Sequence, residues 1–273
     1  SRALPKLIAS CNSCTPNTGG FHRAISLERR KLLPGRIQAL LLDLDDTLLV
    51  NDAETFGKHY FQAIIAKIGH LCPPPVFMEA MDAAMRAVWR NDGTNGTNAE
   101  VFGEAFFQRV DCSPQELMPL MDEFYATDFE VCRAYTSPDP YALPLMELAE
   151  ARGYQVAIAT QPVFPLPAVL ARLRWAGVDA DKFHYDYIAS YETMRACKPH
   201  PHFFQSIVQL LGRRPEECLM VGDSVETDMP ARQVGIKTFW VNRQQSPGGP
   251  PCDAQGTLGD LVNLLQTGAI DDL

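Results

Sequence analysis

Two hydrophobic periods alternate along the chain. Ala39 to Leu42 is a short unbroken apolar run with no helical spacing of polar residues, the pattern of a strand buried on both faces of a parallel sheet. Runs of the same kind recur at Gln155 to Ala159, Tyr187 to Ser190, Cys218 to Val221 and Lys237 to Val241. Between and after them, helical spacing is read over Ala142 to Arg152, Pro165 to Trp175, Pro201 to Leu211, Ala231 to Val234 and Leu258 to Leu265. Gly153, Gly177, Gly212 and Gly235 stand where four of these helices stop. Strands alternating with helices predict an α/β protein with a parallel, doubly wound sheet.

The pattern changes between Asp52 and Tyr135. Phe56, Tyr60, Phe61, Ile64, Ile65 and Ile68 have helical spacing, with Asp52 as the expected N-cap. Phe77, Met81, Met85, Val88 and Trp89 repeat it, and Asn98 is expected to cap a third helix carrying Val101, Phe102, Ala105 and Phe106. Ser113-Pro114-Gln115-Glu116 has the form of a capping box, opening a fourth helix towards Cys132. Four helices without a strand between them predict an inserted helical bundle. The expected divisions are an N-terminal extension (1–35), a first piece of core (36–51), the helical insert (52–136) and the rest of the core (137–273). A Pro/Gly-rich surface loop is expected at Ser246 to Pro251.

Composition narrows the classes. The chain has 273 residues, 46% of them apolar and 21% charged, enough to bury a sizeable core. A net charge of −9 speaks against a duplex nucleic-acid binder, and no apolar run approaches membrane-spanning length. Arg2 and Lys6 are not followed by a sustained apolar stretch, so no secretory signal is expected and the cytoplasm is the default location. The eight cysteines are scattered and read as reduced thiols. Cys11 and Cys14 match C-x-x-C, but no second pair follows to complete a zinc site.

The candidate chemistry lies where strands end. After Leu42 the apolar run gives way to Asp43, Asp45 and Asp46. Open α/β sheets bind ligands at the carboxyl ends of their strands, and period two puts Asp43 and Asp45 on one side of the chain. Carboxylates so close repel, and a hard cation such as Mg²⁺ relieves them; an acidic turn after a strand is the plainer alternative. Thr160 ends the second strand, where a hydroxyl can meet a phosphate oxygen, although threonine is also an ordinary strand residue. Lys198-Pro199 stands before a helix, where a lysine opposes the macrodipole unless it serves an anion; a solvated surface lysine is the alternative. Gly222-Asp223 ends the fourth strand, and Asp228 follows five residues after Asp223.

Together these segments resemble the four motifs of the haloacid dehalogenase-like hydrolase superfamily: Asp43-Leu44-Asp45-Asp46-Thr47, Thr160, Lys198-Pro199, and Gly222-Asp223 with Asp228. The resemblance covers about residues 37–265; the insert matches only in size and helical character. Gln161-Pro162 departs from the Asn that many relatives carry after motif II. The resemblance implies a Rossmann-like core with a helical cap of the C1 type inserted after motif I. It implies a Mg²⁺-dependent phosphatase acting on a small phosphorylated metabolite. Asp43 would be the nucleophile and Asp45 the general acid and base, with Thr160, Gln161 and Lys198 at the phosphate. Asp43, the Asp45 carbonyl, Asp223 and Asp228 would hold the metal. A phosphomutase of the β-phosphoglucomutase type and a non-catalytic phospholigand scaffold are the alternatives. Dehalogenases of this fold lack the second acid and need no metal, so Asp45 and Asp223 argue against their chemistry. Asn91 to Asn98 is a candidate specificity segment, or else an interhelical loop. Oligomeric state is left open between monomer and dimer.

Overall fold

The structure is a computed structural model, and residues 36–243 and 249–273 are described. The N-terminal extension with Cys11 and Cys14, and part of the Ser246 to Pro251 loop, lie outside the described residues. Six parallel strands form one sheet in the order β5-β4-β1-β6-β7-β8: β1 is Ala39–Leu42, β4 Gln155–Ile158, β5 Tyr187–Ile188, β6 Cys218–Gly222, β7 Lys237–Val241 and β8 Ala254–Gly256. Every residue of β1, β4 and β6 is buried. Leu40 and Leu42 face one core and Ala39 and Leu41 another, so the sheet is a middle layer, as the unbroken apolar runs require. On one face pack α5 (Ala142–Arg152), α6 (Leu166–Trp175) and α8 (Leu258–Thr267); on the other lies α7 (Pro201–Leu210) with a 3₁₀ segment at Met229–Val234.

The chain runs from β1 outward to β4 and β5, then returns to the opposite side of β1 as β6. The resulting switch point lies at the carboxyl end of β1, where such sheets leave a crevice. Leu42 pairs with Ile158 on one side and Val221 on the other. Asp43, Thr160 and Asp223 are thereby delivered to one edge by register alone.

A second, two-stranded sheet escaped the sequence pattern. β2 (Leu49–Asn51) and β3 (Thr136–Pro138) pair antiparallel, Leu49 against Pro138 and Asn51 against Thr136. All the helices of the insert lie between these two strands: α1 (Ala53–Ile68), α2 (Pro74–Trp89), α3 (Asn98–Phe107) and α4 (Pro114–Ala126). The last edge strand, β8, was also unexpected. It carries no apolar run and is aligned by Asp253, whose carboxylate accepts from the Thr238 amide (3.0 Å) and from Lys237 Nζ (3.1 Å).

Caps follow local chemistry. Asp52 caps α1 as expected, accepting from the amides of Glu54 and Thr55, and Glu116 closes the box at α4 by accepting from the amide and hydroxyl of Ser113. Two expectations are corrected. The helix opened at Ser113 does not reach Cys132. Thr127 leaves helical geometry at φ −131°, ψ −63°, and the chain continues as a 3₁₀ segment, Asp128–Tyr135, which sends Phe129 and Cys132 into the core. The cap of α3 is Thr97, in a capping box with Glu100, and Asn98 is the first helical residue.

Asn98 is buried and spent elsewhere. Its Oδ1 accepts from Asn91 Nδ2 (2.9 Å), and its Nδ2 donates to the carbonyls of Pro162 (3.1 Å) and Ala196 (3.4 Å). Its backbone N–H donates to Met194 O (2.7 Å), and that of Ala99 to Tyr191 O (2.8 Å). The insert is thus sewn to the loops after β4 and β5, and its apolar core is continuous with that of the sheet. No helix among the described residues is long and apolar enough to cross a membrane. Removing buried amide partners costs about 1–3 kcal/mol, and removing an N-cap hydroxyl about 1 kcal/mol. Asn98→Ala is therefore expected to lower unfolding free energy more than Thr97→Ala in urea titration. The reverse order would mean that the Thr97 cap outweighs the buried hydrogen bonds of Asn98.

Candidate active site

Asp43 leaves β1 with its N–H donated to Val221 O (2.9 Å) and its carboxylate buried. Lys198 comes from the loop between β5 and α7 and is 2% exposed. Its Nζ donates to Asp43 Oδ1 (2.7 Å) and to Asp228 Oδ1 (2.6 Å). Burial alone would lower the pKa of Lys198; the carboxylates of Asp228 and Asp43 overcome that and hold it above its ordinary value. The surface-lysine alternative is thereby excluded.

Three devices fix this lysine. Gln161 accepts from the Lys198 N–H (2.9 Å) and donates to its carbonyl (3.1 Å), tying the loop after β4 to the loop that carries the lysine. Both ends of that side-chain amide are committed to the backbone of Lys198, so the side chain braces the lysine's loop. Asp228, wholly buried, accepts from the Ser224 amide through Oδ2 (3.0 Å) while Oδ1 holds Lys198. Gly222 makes room for it: a Cβ there would collide with the carboxylate of Asp228.

Asp43, Asp223 and Asp228 each present an oxygen within 4.8 Å of the others, a spacing able to hold a metal ion. Asp223 is only partly buried; Thr47 Oγ1 donates to its Oδ1 (3.3 Å), and Trp240 Nε1 donates to its carbonyl (2.8 Å). Burial, reinforced by the charges of Asp228 and Asp46, pushes Asp223 up to about 6. Burial, opposed by Lys198 and reinforced by Asp228, pushes Asp43 up to about 8. One lysine does not neutralise three carboxylates, and the residual proton affinity is what a hard divalent cation would replace. The donor set of Asp43, Asp223 and Asp228 therefore fits a hard divalent cation such as Mg²⁺.

Asp45 stands apart from that cluster. Its Oδ2 is ion-paired to Arg172 Nη1, and its Oδ1 accepts from Asn51 Nδ2 (3.0 Å). Asp46 has a positive φ of 55° and accepts from the Asn51 N–H (3.0 Å), so the chain turns sharply after motif I. Arg243 clamps that turn, donating to the carbonyls of Asp46 and Thr47 and pairing with Asp139 (2.9 Å). Thr160 is buried at the end of β4. The Asn91 to Asn98 segment packs on the loops of motifs II and III, with Asp92 bridged to Ala196 and both Asn91 and Asn98 buried.

Sequence reasoning missed Arg172, Asn51 and Arg243. Arg172 had a readable signal: it lies four residues after Ala168 and three before Trp175, on the apolar stripe of α6, where a charge must find a buried partner.

Residues 37–234 match the haloacid dehalogenase-like hydrolase family, and the chain belongs to it. It is 29% identical over 260 residues to a phosphoserine phosphatase from Thermus thermophilus, covering 86% of this chain and all of that one. It is 28% identical over 212 residues to a glyceraldehyde 3-phosphate phosphatase from Pyrococcus furiosus, covering 75% and 80%. Its fold is shared with a phosphatase of this family from Thermococcus onnurineus (TM-score 0.55, 22% identity, 84% of this chain and 98% of that one). It is shared also with a 2-haloacid dehalogenase from Pseudomonas syringae (TM-score 0.58, 21% identity, 85% and 99%).

The raised carboxylates set a pH dependence. From the ordinary aspartate value of 3.8 up to about 6 for Asp223 and about 8 for Asp43, the folded protein binds more protons than the unfolded one. Stability without divalent cations should therefore fall as pH rises through that window. Added Mg²⁺ competes with those protons, so its effect on Tm should be larger at pH 8 than at pH 5, measured by differential scanning calorimetry. An equal effect at both pH values would mean that these carboxylates are not the metal's ligands.

Proposed function

We propose that the protein is a Mg²⁺-dependent phosphatase acting on a small phosphorylated metabolite through an aspartyl phosphate on Asp43. The observation that carries this reading is Lys198 Nζ, buried and bridging Asp43 and Asp228 at the carboxyl end of β1. That arrangement fixes a carboxylate beside a cation where a phosphoryl group would arrive. The phosphatase relatives named above support the substrate class.

An oxygen of Asp43 attacks phosphorus, the P–O bond to the leaving group breaks, and Asp45 gives its proton to the departing oxygen. Water then attacks the aspartyl phosphate, Asp45 takes the proton, and phosphate leaves with Asp43 restored. Lys198 balances the charge of nucleophile and phosphoryl oxygens throughout, with the Thr160 hydroxyl as a donor at the same edge. Asp43, Asp223 and the Asp45 carbonyl would hold Mg²⁺, which would supply neutralisation of the phosphoryl charge. Asp228 acts on the lysine, holding it level with Asp43.

Hydrolysis of p-nitrophenyl phosphate with and without EDTA tests the class, and a panel including phosphoserine and glyceraldehyde 3-phosphate tests the substrate. EDTA should abolish turnover, and Mg²⁺ should restore it. Asp43→Asn should lower kcat by about 10³-fold or more, and mass spectrometry of quenched wild type should show one phosphoryl group that the variant lacks. EDTA-resistant turnover, or wild-type rates in Asp43→Asn, would overturn the reading.

A further inference from the structure

We propose that Arg172 is the positioning residue of the general acid and base, holding Asp45 at the reacting centre through one fixed oxygen. The inference rests on the reading of Asp45 just given.

Arg172 is 1% exposed and is the largest fully buried side chain among the described residues. Its Nε donates to Ala168 O (3.2 Å), which anchors the guanidinium to its own helix. Its guanidinium carbon lies 4.4 Å from the centre of the Phe164 ring. Nη1 is paired with Asp45 Oδ2, and Nη2 is buried without a hydrogen-bond partner. A cation buried in this way is costly, and an apolar side chain of similar volume would fill α6 without that cost. Asp45, by contrast, is 35% exposed. What the pair supplies is therefore orientation: an aspartate on a turn can rotate freely, whereas acid–base catalysis needs its oxygen within hydrogen-bond reach of the ester oxygen.

The two arms on Asp45 differ in kind. Asn51 is a neutral amide on the short strand β2 and holds Oδ1 at 3.0 Å. Arg172 is a buried cation on a core helix and holds Oδ2. Oδ1 is thus the oxygen that can be released to the substrate, and Oδ2 is the pivot. The unused Nη2 on the same guanidinium edge keeps a donor available as the carboxylate turns, so the ion pair persists through the movement.

A double-mutant cycle between Arg172 and Asp45 tests this. Wild type, Arg172→Met, Asp45→Asn and the double variant are compared on β-glycerol phosphate, a poor leaving group, and on p-nitrophenyl phosphate, whose phenolate departs without a proton. Arg172→Met should lower kcat on β-glycerol phosphate about 10–100-fold, part of the roughly 10²–10⁴-fold that acid–base catalysis contributes, with KM changed less than about 3-fold. The p-nitrophenolate burst should keep nearly its wild-type rate. In the Asp45→Asn background the same substitution should cost nothing further, because the group it positions is gone. A scaffold role would instead cost the same factor in both backgrounds, and a substrate-binding role would raise KM with kcat unchanged; either result overturns the inference. If Arg172→Met does not fold, as judged by circular dichroism, the cycle is run with Arg172→Gln and Arg172→Lys. Failure of all three to fold assigns the residue to the scaffold and also overturns it. A wild-type enzyme that does not hydrolyse p-nitrophenyl phosphate, or does so at the same rate with Asp43→Asn, would sink the phosphatase reading itself, whereas an additive cycle in an active enzyme sinks only the role of Arg172.

Discussion

The candidate site depends on one ammonium group placed between two buried carboxylates. Taking an ion out of water costs several kcal/mol, and the attraction between ions repays it only when geometry is fixed on every side. Lys198 meets that condition with Asp43 at 2.7 Å and Asp228 at 2.6 Å. Much of the surrounding structure can be understood as keeping those distances. The parallel register of β1 with β6 brings Asp43 alongside Gly222, and the bare Cα of Gly222 leaves room for Asp228. The Gln161 amide grips the lysine's backbone, and Ser224 holds the far oxygen of Asp228. Withdrawing one of these supports leaves an ion without its partner in a place water does not reach.

The core was legible because its signals are local and strong. Ala39 to Leu42 can be little other than a buried strand, and Asp52 and Ser113 show their caps within four residues. What escaped depends on residues far apart. Leu49 and Pro138 are paired across the whole insert, and strands of three residues carry no period of their own. The choice between Thr97 and Asn98 as cap was decided by Pro162 and Ala196, which claim the Asn98 amide from outside the helix. The motif acids were found by type and order. Asp45 was singled out by its motif, but its ion-pair partner was not, since Arg172 lies 127 residues away.

The insert is held to the core along two polar seams. At one, Asn98 and Ala99 bond to the loops after β4 and β5. At the other, Glu130 of the 3₁₀ segment accepts from Trp175 Nε1 (2.9 Å) and Arg174 Nη2 (3.2 Å) on α6. Arg172 sits on that same helix, beneath Phe164, whose ring is 5.4 Å from that of Tyr60 and 6.4 Å from that of Phe129 in the insert. The helix whose Arg172 pairs with Asp45 is thus also one on which the insert rests, so a shift of the insert would be felt at Asp45 through packing alone.

The antiparallel pairing of β2 with β3 makes the chain leave the core and return to it at neighbouring points. The segment between Asn51 and Thr136 therefore spans a nearly closed loop whose ends are set by the hairpin. Closing a longer loop between fixed ends adds little entropy cost, about 0.6 kcal/mol for each doubling of its length. Helices could then be gained, lost or exchanged there over evolutionary time without moving Asp43, Lys198 or Asp223. A neck of three paired residues separates the part of the molecule free to diversify from the part that is not.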